Sequence, residues 1–548
     1  MNLGIKCCGT TKKEYIHRIF IAVFIAAYTI FSIHNDLKFF YWDRAYNPLS
    51  MQFYIVIKVI FVLLMLLLGM AVYKRLSHMK ISKSLIKENF AYYGIIAIVY
   101  IAVLLALWPG NWGAVGDEVQ VFLSVKNLRV WPDQGIMSSL FMLLCIMIYP
   151  DPGIIAAVQV IISVVVIGNI IKSVSLELEN KIIKYFLIVL FITLPALCFV
   201  TCPIRIWLYS IFLILLIENL FLIKKEKDEN IFWNKAIIVS VLLSVVVNYR
   251  SEGLLFALIS PLVILLSRTA KKYKIKALIL LVSSLVVVTV FLRILVNLGN
   301  GNTLNQHSGL KYVTVLSTIL SDPEKYKKIA PEDIENIDKV YDIETMLDNA
   351  SMSSPFNGTI AERSFPEPTA EEMKAFKKSV YNIILKNIPT YLECRWEAAK
   401  WSLGVYPYYP TVGFIWNQET IDEWSRHTDL PGDISREFRR YDNNSFREYI
   451  SEKLVFSFNI KGVMSFYIFY AFWLPCILIP LMFIINLIKR DYFESGMCFA
   501  LFLQLVMVVL MAPGRYQMYY LPFYFLGWIM LLRTIFKKNR PILNEAVY

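Results

Sequence analysis

Long apolar runs recur along almost the whole of this 548-residue chain, separated by short basic stretches. No soluble fold can cover so much apolar surface, whereas a bilayer accepts it directly. Hydrophobic residues make up 57% of the chain, and the mean hydropathy of +0.54 agrees with that reading. Runs at 16–33, 51–72, 90–107, 154–171, 185–200, 206–223, 236–247, 253–266, 277–298, 462–488, 495–511 and 520–535 predict an all-α polytopic membrane protein. That amounts to about twelve transmembrane helices, some shorter than the roughly 20 residues a span needs, so that their polar ends must reach into the interface.

The run at 136–149 decides the topology. As a full crossing it would put Lys224, Lys225, Lys227 and Lys235 outside, together with the loop 268–276. As a re-entrant or interfacial helix it leaves the basic runs 6–18, 74–87, 172–184, 224–235, 268–276, 489–490 and 533–540 all on one side. That asymmetry marks the cytoplasm. The expectation is therefore a multi-pass protein of the cell membrane with both termini cytoplasmic. It divides into an N-terminal transmembrane region 1–298, an extracytoplasmic segment 299–461 and C-terminal helices 462–548. The first run lacks a small-residue cleavage site and reads as a retained helix.

The net charge of +13 does not imply nucleic acid, because the basic residues are scattered between spans rather than gathered with aromatics into a groove. Most of the eight cysteines, such as Cys145, Cys198, Cys476 and Cys498, lie in apolar segments, where a thiol behaves as a small hydrophobe. Cys394 is alone in the large polar segment, so no disulfide framework is expected there. No His/Cys cluster has zinc spacing.

Within the polar segment, Thr369 followed by Glu372 reads as a capping box opening a helix through Phe376, Val380, Ile383, Ile384 and Ile388, with Pro389 ending or kinking it. Tyr391, Trp396, Trp401 and residues 406–409 then form an aromatic run suited to the headgroup level.

The unusual polar residues fall on one side of the predicted topology. The first large outer loop, 108–153, carries Asp117, Glu118 and Gln120. Later outer turns carry Arg205, then Asn248, Arg250 and Glu252, and finally Gly514, Arg515 and Tyr516. Lys58 and Arg293 sit inside spans toward the same side. A carboxylate can take a proton from an attacking hydroxyl while arginines stabilise a departing phosphate. The bland alternatives are that an acidic pair at a helix end is solvated, that arginines and Lys58 snorkel to lipid phosphates, and that the aromatics form an interfacial belt.

A third span ending in Trp108-Pro109-Gly110, followed by an acidic outer loop with Gln120 and an interfacial helix, resembles the GT-C superfamily of membrane glycosyltransferases. Residues 387–391, Asn-Ile-Pro-Thr-Tyr, with Arg395 following, look like the "NP..Y...R" helix of bacterial members with Ile388 inserted, and 514–516 is similar to a late arginine-tyrosine turn. The resemblance implies a donor sugar on a polyprenyl phosphate. It implies Asp117 as general base with Glu118 second, and Arg515 and Arg250 for the lipid phosphate. Arg205, Glu252, Arg293 and Tyr516 complete the expected substrate-binding set. The chain departs from the pattern at Trp131-Pro132-Asp133, where many members have His-Pro. It departs again at residues 201–205, where relatives often place another acidic residue. The second departure argues against a divalent metal, since a lone carboxylate cluster is a poor cage for a hard cation. No cofactor is assigned, and the first two spans lie outside the pattern.

The reading that follows is an inverting glycosyltransferase at the extracytoplasmic face, with a polyprenyl-phosphate sugar donor and a cell-envelope glycan or glycolipid acceptor. An O-antigen-type polymerase or ligase is the second reading and would draw on Arg395 or Arg439 of the large segment. A transporter or lipid flippase is the non-enzymatic alternative.

Overall fold

The computed structural model describes residues 12–40, 48–78, 89–112, 117–131, 135–178, 180–300, 310–348, 368–406, 460–512, 514 and 516–536, with 445 and 449 besides. Among these residues the chain is helical throughout. In order come α1 (Lys12–Phe39), α2 (Pro48–His78), α3 (Phe90–Ala106), α4 (Asp117–Lys126), α5 (Gly135–Ile148) and α6 (Pro152–Glu177). Then follow α7 (Lys181–Phe191), α8 (Leu194–Val200), α9 (Arg205–Lys225), α10 (Glu229–Tyr249), α11 (Ser251–Leu265) and α12 (Lys271–Asn300). The polar segment contributes α13 (Leu310–Leu320), three short helices, α14 (Ala370–Lys386) and α15 (Ile388–Ser402). The chain closes with α16 (Ile460–Phe469), α17 (Trp473–Ile488), α18 (Tyr492–Met511) and α19 (Leu521–Phe536), the last opened by a 3₁₀ turn, Gln517–Tyr520.

Nine of the described helices are long and apolar enough to cross a membrane, or ten if the bent pair α7–α8 is one span. Helices Phe90–Ala106, Ile136–Ile148 and Ser251–Leu265 are apolar but shorter. Local signals start several of them. Asp151, Asn180, Asp228 and Asp491 each accept a backbone N–H of the helix they precede, and Pro152 occupies the first turn of α6, where its missing N–H costs nothing. The capping box of Thr369 and Glu372 forms as the sequence predicts. Those hydrogen bonds hold the Glu372 carboxyl below its usual range. The helix it opens stops at Lys386, and Pro389 falls in the first turn of α15 rather than terminating α14.

Helix α9 is the axis of the bundle. Its apolar window is 83% buried, against 17% for α1, α2 and α12, which expose leucine, isoleucine and phenylalanine along most of their length. A helix apolar all round belongs in the centre, and exposed apolar faces of this extent belong against lipid. The α7–α8 span breaks by 56°. The break frees carbonyls that a bilayer cannot satisfy. Tyr100 Oη donates to Phe191 O at 2.6 Å and Thr193 Oγ1 to Leu190 O at 2.9 Å, supplying the missing donors from inside the protein.

The two ends of the bundle differ. At one, the basic end, Arg533 is fully buried between Glu177 (2.8 Å) and Glu218 (2.6 Å), over the Phe221 ring. Lys225 pairs with Glu177 and Lys235 with Glu226 there. At the other, the polar end, α3 finishes with Trp108 packed where a side chain on Gly153 would have to go, in the first turn of α6. The chain from Trp108 to Gly153 thus returns to the end it left, so α4 and α5 add no net crossing. Tyr28 Oη of α1 donates to Ile148 O at the end of α5.

One expectation is corrected. Lys58 does not snorkel. It is buried in α2 with Nζ 2.6 Å from both Asp36 Oδ2 and Ser32 Oγ of α1, and Tyr54 Oη donates to the same carboxylate oxygen at 2.8 Å. The first two helices are pinned to each other by this pair.

Removing one member of a buried ion pair strands the others, at a cost of about 3–5 kcal/mol. Arg533→Ala should therefore lower stability by that order, read as thermal unfolding in detergent, because it leaves the buried Glu218 uncompensated and Glu177 with Lys225 alone. An unchanged unfolding midpoint would show that the three groups do not hold α6, α9 and α19 together.

Candidate functional site

The polar end is organised by one amide. Gln159 of α6 donates through Nε2 to the last carbonyls of α8, Phe199 (3.2 Å) and Val200 (2.9 Å), and to Cys202 O (2.7 Å). A helix C-terminus leaves such carbonyls without intrahelical partners, and here they are buried. Ser163 and Trp207 extend the arrangement, Trp207 Nε1 donating to Ser163 Oγ at 2.7 Å and Ser163 Oγ to Gln159 O at 2.6 Å. The turn 201–204 is thereby fixed between α8 and α9.

Around that turn lies a first group of residues. Asn111 N donates to Thr201 O at 2.9 Å. Gly110, at φ 126°, makes the close approach possible, since a Cβ there would stand 2.9 Å from Thr201 O. Glu118 is buried with Oε1 4.0 Å from Cys202 Sγ. Burial first, and the charge of Glu118 second, push the Cys202 thiol well up from its usual range. Both effects favour the neutral thiol at Cys202, which donates toward Glu118. Asp117 opens α4 one residue earlier, and its side chain lies outside the described residues.

A second group is centred on Arg250, which is buried at the C-terminus of α10. Its fork grips Glu252, Nε to Oε2 at 3.2 Å and Nη2 to Oε1 at 2.5 Å. The guanidinium lies 4.5 Å from the centre of the Tyr519 ring and 5.9 Å from that of Tyr209. Gln504 of α18 donates to Tyr209 Oη (2.7 Å) and to Glu252 O (3.2 Å), which ties the group to the C-terminal helices. Arg205, half-buried at the start of α9, adds a second positive charge that acts on Glu252. Only Pro203 and Ile204 separate it from Cys202, so the two groups are joined through the start of α9.

The structure thus gathers Glu118, Arg205, Arg250 and Glu252 at the polar end, with Tyr516 half-buried near Tyr519 at a ring separation of 6.2 Å. Arg293 stands apart, exposed on the face of α12 that carries Val290 and Ile294. Arg515 lies outside the described residues, between Gly514 and Tyr516. Arg395, the arginine of the polymerase reading, is buried and donates from Nη2 to Ala512 O at 2.7 Å, while Tyr391 Oη donates to Leu510 O at 2.7 Å. Arg439 lies outside the described residues. No group of three His, Cys, Asp or Glu side chains that could hold a metal occurs among the described residues.

Sequence reasoning passed over Gln159, Asn111 and Thr201. Gln159 sits in an apolar span and looks like one polar residue in a hydrophobic run. Asn111 and Thr201 are fully buried, and neither the Asn111 amide nor the Thr201 hydroxyl has a hydrogen-bond partner among the described residues. Unmet buried polar groups are rare and concentrate where something other than stability is at work. The chain matches no protein-family model, no curated protein and no solved structure.

Leaving a buried polar group unsatisfied costs about 1–3 kcal/mol. Thr201→Val and Asn111→Leu, which keep approximate volume, should therefore raise the unfolding midpoint in detergent. A fall in either midpoint would mean that the group it removes is satisfied after all.

Proposed function

We propose that the protein is an inverting glycosyltransferase of the GT-C kind, transferring a sugar from a polyprenyl phosphate to a glycan or glycolipid hydroxyl. What supports the proposal is that Glu118, in the first turn of the helix that Asp117 opens, and the arginines Arg205 and Arg250 with Glu252 lie at the same end of the bundle, Glu118 beside the turn that leads into Arg205. The acceptor oxygen attacks C1 of the sugar, the C1–O bond to the phosphate breaks, and the electron pair leaves with the phosphate. The acceptor proton passes to Asp117, with Glu118 as second choice. The arginines counter the negative charge on the leaving phosphate, and Glu252 holds Arg250 in place for that task. The engagement of Arg395 with Ala512 O works against the polymerase reading, because that guanidinium already caps a helix.

The topology belongs to the same proposal. Adding the bent pair and the helices Phe90–Ala106 and Ser251–Leu265 to the nine longer ones gives about twelve crossings. The basic end faces the cytoplasm with both termini, and the polar end faces outward. Nucleotide sugars are made inside, so an outward site calls for a lipid-linked donor. Cysteine labelling should place Lys225 and Lys272 on one side and Asp342 on the other. A result with Lys225 and Asp342 on the same side would reverse the argument for an outward site.

The decisive assay adds a polyprenyl-phosphate sugar and an acceptor to membranes containing the protein. Asp117→Asn keeps the shape of the side chain but cannot take the proton, so transfer should fall by about 100- to 10,000-fold with donor binding intact. Arg250→Lys should also impair transfer despite its retained charge, because an ammonium does not reproduce the two-pronged grip on Glu252 or the stacking on Tyr519. Full activity in Asp117→Asn and in Glu118→Gln would remove the acidic turn from the chemistry. Solute flux without sugar transfer in the unaltered protein would favour a transporter.

A further inference from the structure

Helix α15 runs across the ends of two spans rather than continuing either. Near its start, Tyr391 and Arg395 bond to Leu510 O and Ala512 O at the C-terminus of α18. Just past its end, Leu403 O accepts from Trp473 N, the first residue of α17, at 2.9 Å. Helices α17 and α18 are neighbours, joined by a short turn at the basic end and by Ser495 Oγ to Phe483 O at 3.2 Å. The stretch from Tyr391 to Leu403 is on the order of 18 Å long at 1.5 Å per residue, and packed helices stand about 8–10 Å apart. Trp473 stands at the short break between α16 and α17, inside the apolar stretch Val463–Ile488 and about 22 Å along α17 from its basic end at 1.5 Å per residue. Helix α15 therefore reaches from the outer end of α18 to that break, near the depth of the outer membrane interface.

The side chains of α15 divide its surface accordingly. Thr390, Cys394, Arg395 and Ala398 are buried. Ile388, Leu392 and Trp396 recur every four residues and are exposed, at 46%, 50% and 57%. Glu393, exposed, and Glu397 and Lys400, half-buried, follow on the next arc. Tyr381 and Leu385 at the end of α14 prolong the apolar stripe. Three arcs, one against protein, one apolar and one charged, are what a helix at a lipid surface requires. The apolar arc also continues a face already turned to lipid, since Met511 at the end of α18 and Trp473 and Leu474 at the start of α17 are exposed large hydrophobics around the anchoring bonds.

We infer that α15 is an in-plane interfacial helix whose stripe Ile388–Leu392–Trp396 is immersed at the boundary of headgroups and acyl chains, with Glu393 and Glu397 turned to water. The occupant of the stripe is the bilayer itself. The inference does not depend on the proposed transferase activity.

Single cysteines at Leu392, Trp396, Glu393 and Glu397 test it in the full-length protein. The six described native cysteines are all buried, and Cys7 and Cys8 are replaced by serine so that labelling is selective. After reconstitution into vesicles of phosphatidylcholine and phosphatidylglycerol, an environment-sensitive fluorophore at 392 and 396 should be quenched by lipid-borne nitroxide and spared by aqueous iodide. The label at 393 and 397 should show the reverse. Equal iodide quenching at all four positions would overturn the inference by putting the stripe in water. Protection of 392 and 396 from both quenchers would overturn it equally, because protein rather than lipid would then cover the stripe.

Discussion

The hydrogen bonds from Gln159 to the end of α8 are the constraint on which the polar end depends. A span that breaks and stops inside the protein presents carbonyls that neither lipid nor water can satisfy. One amide nitrogen serves the carbonyls of Phe199, Val200 and Cys202 at once. With the turn fixed, Cys202 stands beside Glu118, Thr201 O is presented to Asn111 N, and α9 starts with Arg205 at the site. Without Gln159 the turn would keep its own backbone bonds, Cys202 N to Phe199 O and Ile204 N to Cys202 O, but would lose its side-chain tie to α6.

The two ends of the bundle then differ in what holds their buried charges, and both keep side-chain atoms without a hydrogen-bond partner among the described residues. At the basic end, charge is neutralised internally, with Arg533 shared by Glu177 and Glu218 and stacked on Phe221. That is the pattern of groups buried for architecture. At the polar end Arg250 is balanced by Glu252, the charge of Arg205 acts on the same carboxylate, and the Asn111 amide and Thr201 hydroxyl have no partner among the described residues.

How much of this was legible in the sequence depends on the range of the interaction. The apolar runs and the Thr369–Glu372 capping box are local patterns, and they reappear as helices, though several helices start earlier than the predicted run, as at Glu229 and Lys271, and the run 185–200 is broken in two. The pairing of Lys58 with Asp36 joins residues of two helices whose relative rotation no periodicity reveals, so the lysine read as a snorkelling one. Arg533 and Glu218 are 315 positions apart, and within an apolar window each is a single unremarkable charge. Glu118 and Arg250 could be nominated from their place at span ends. The partner of each, Cys202 for one and Tyr519 for the other, could not.

The large polar segment enters the same logic through α15. Leu510 O and Ala512 O belong to the last turn of α18, where carbonyls carry the negative end of the helix dipole. Arg395 meets that end with a full positive charge and Tyr391 with a hydroxyl, four residues apart on one face of α15. The chain leaves α18 at this point for Gly514, Tyr516 and the 3₁₀ turn that sets Tyr519 against Arg250. The orientation of Tyr519 is therefore tied, through two hydrogen bonds and a short turn, to the seat of α15 across the span ends. A segment remote in sequence from the arginine cluster thus packs against the end of the helix that leads toward one wall of it.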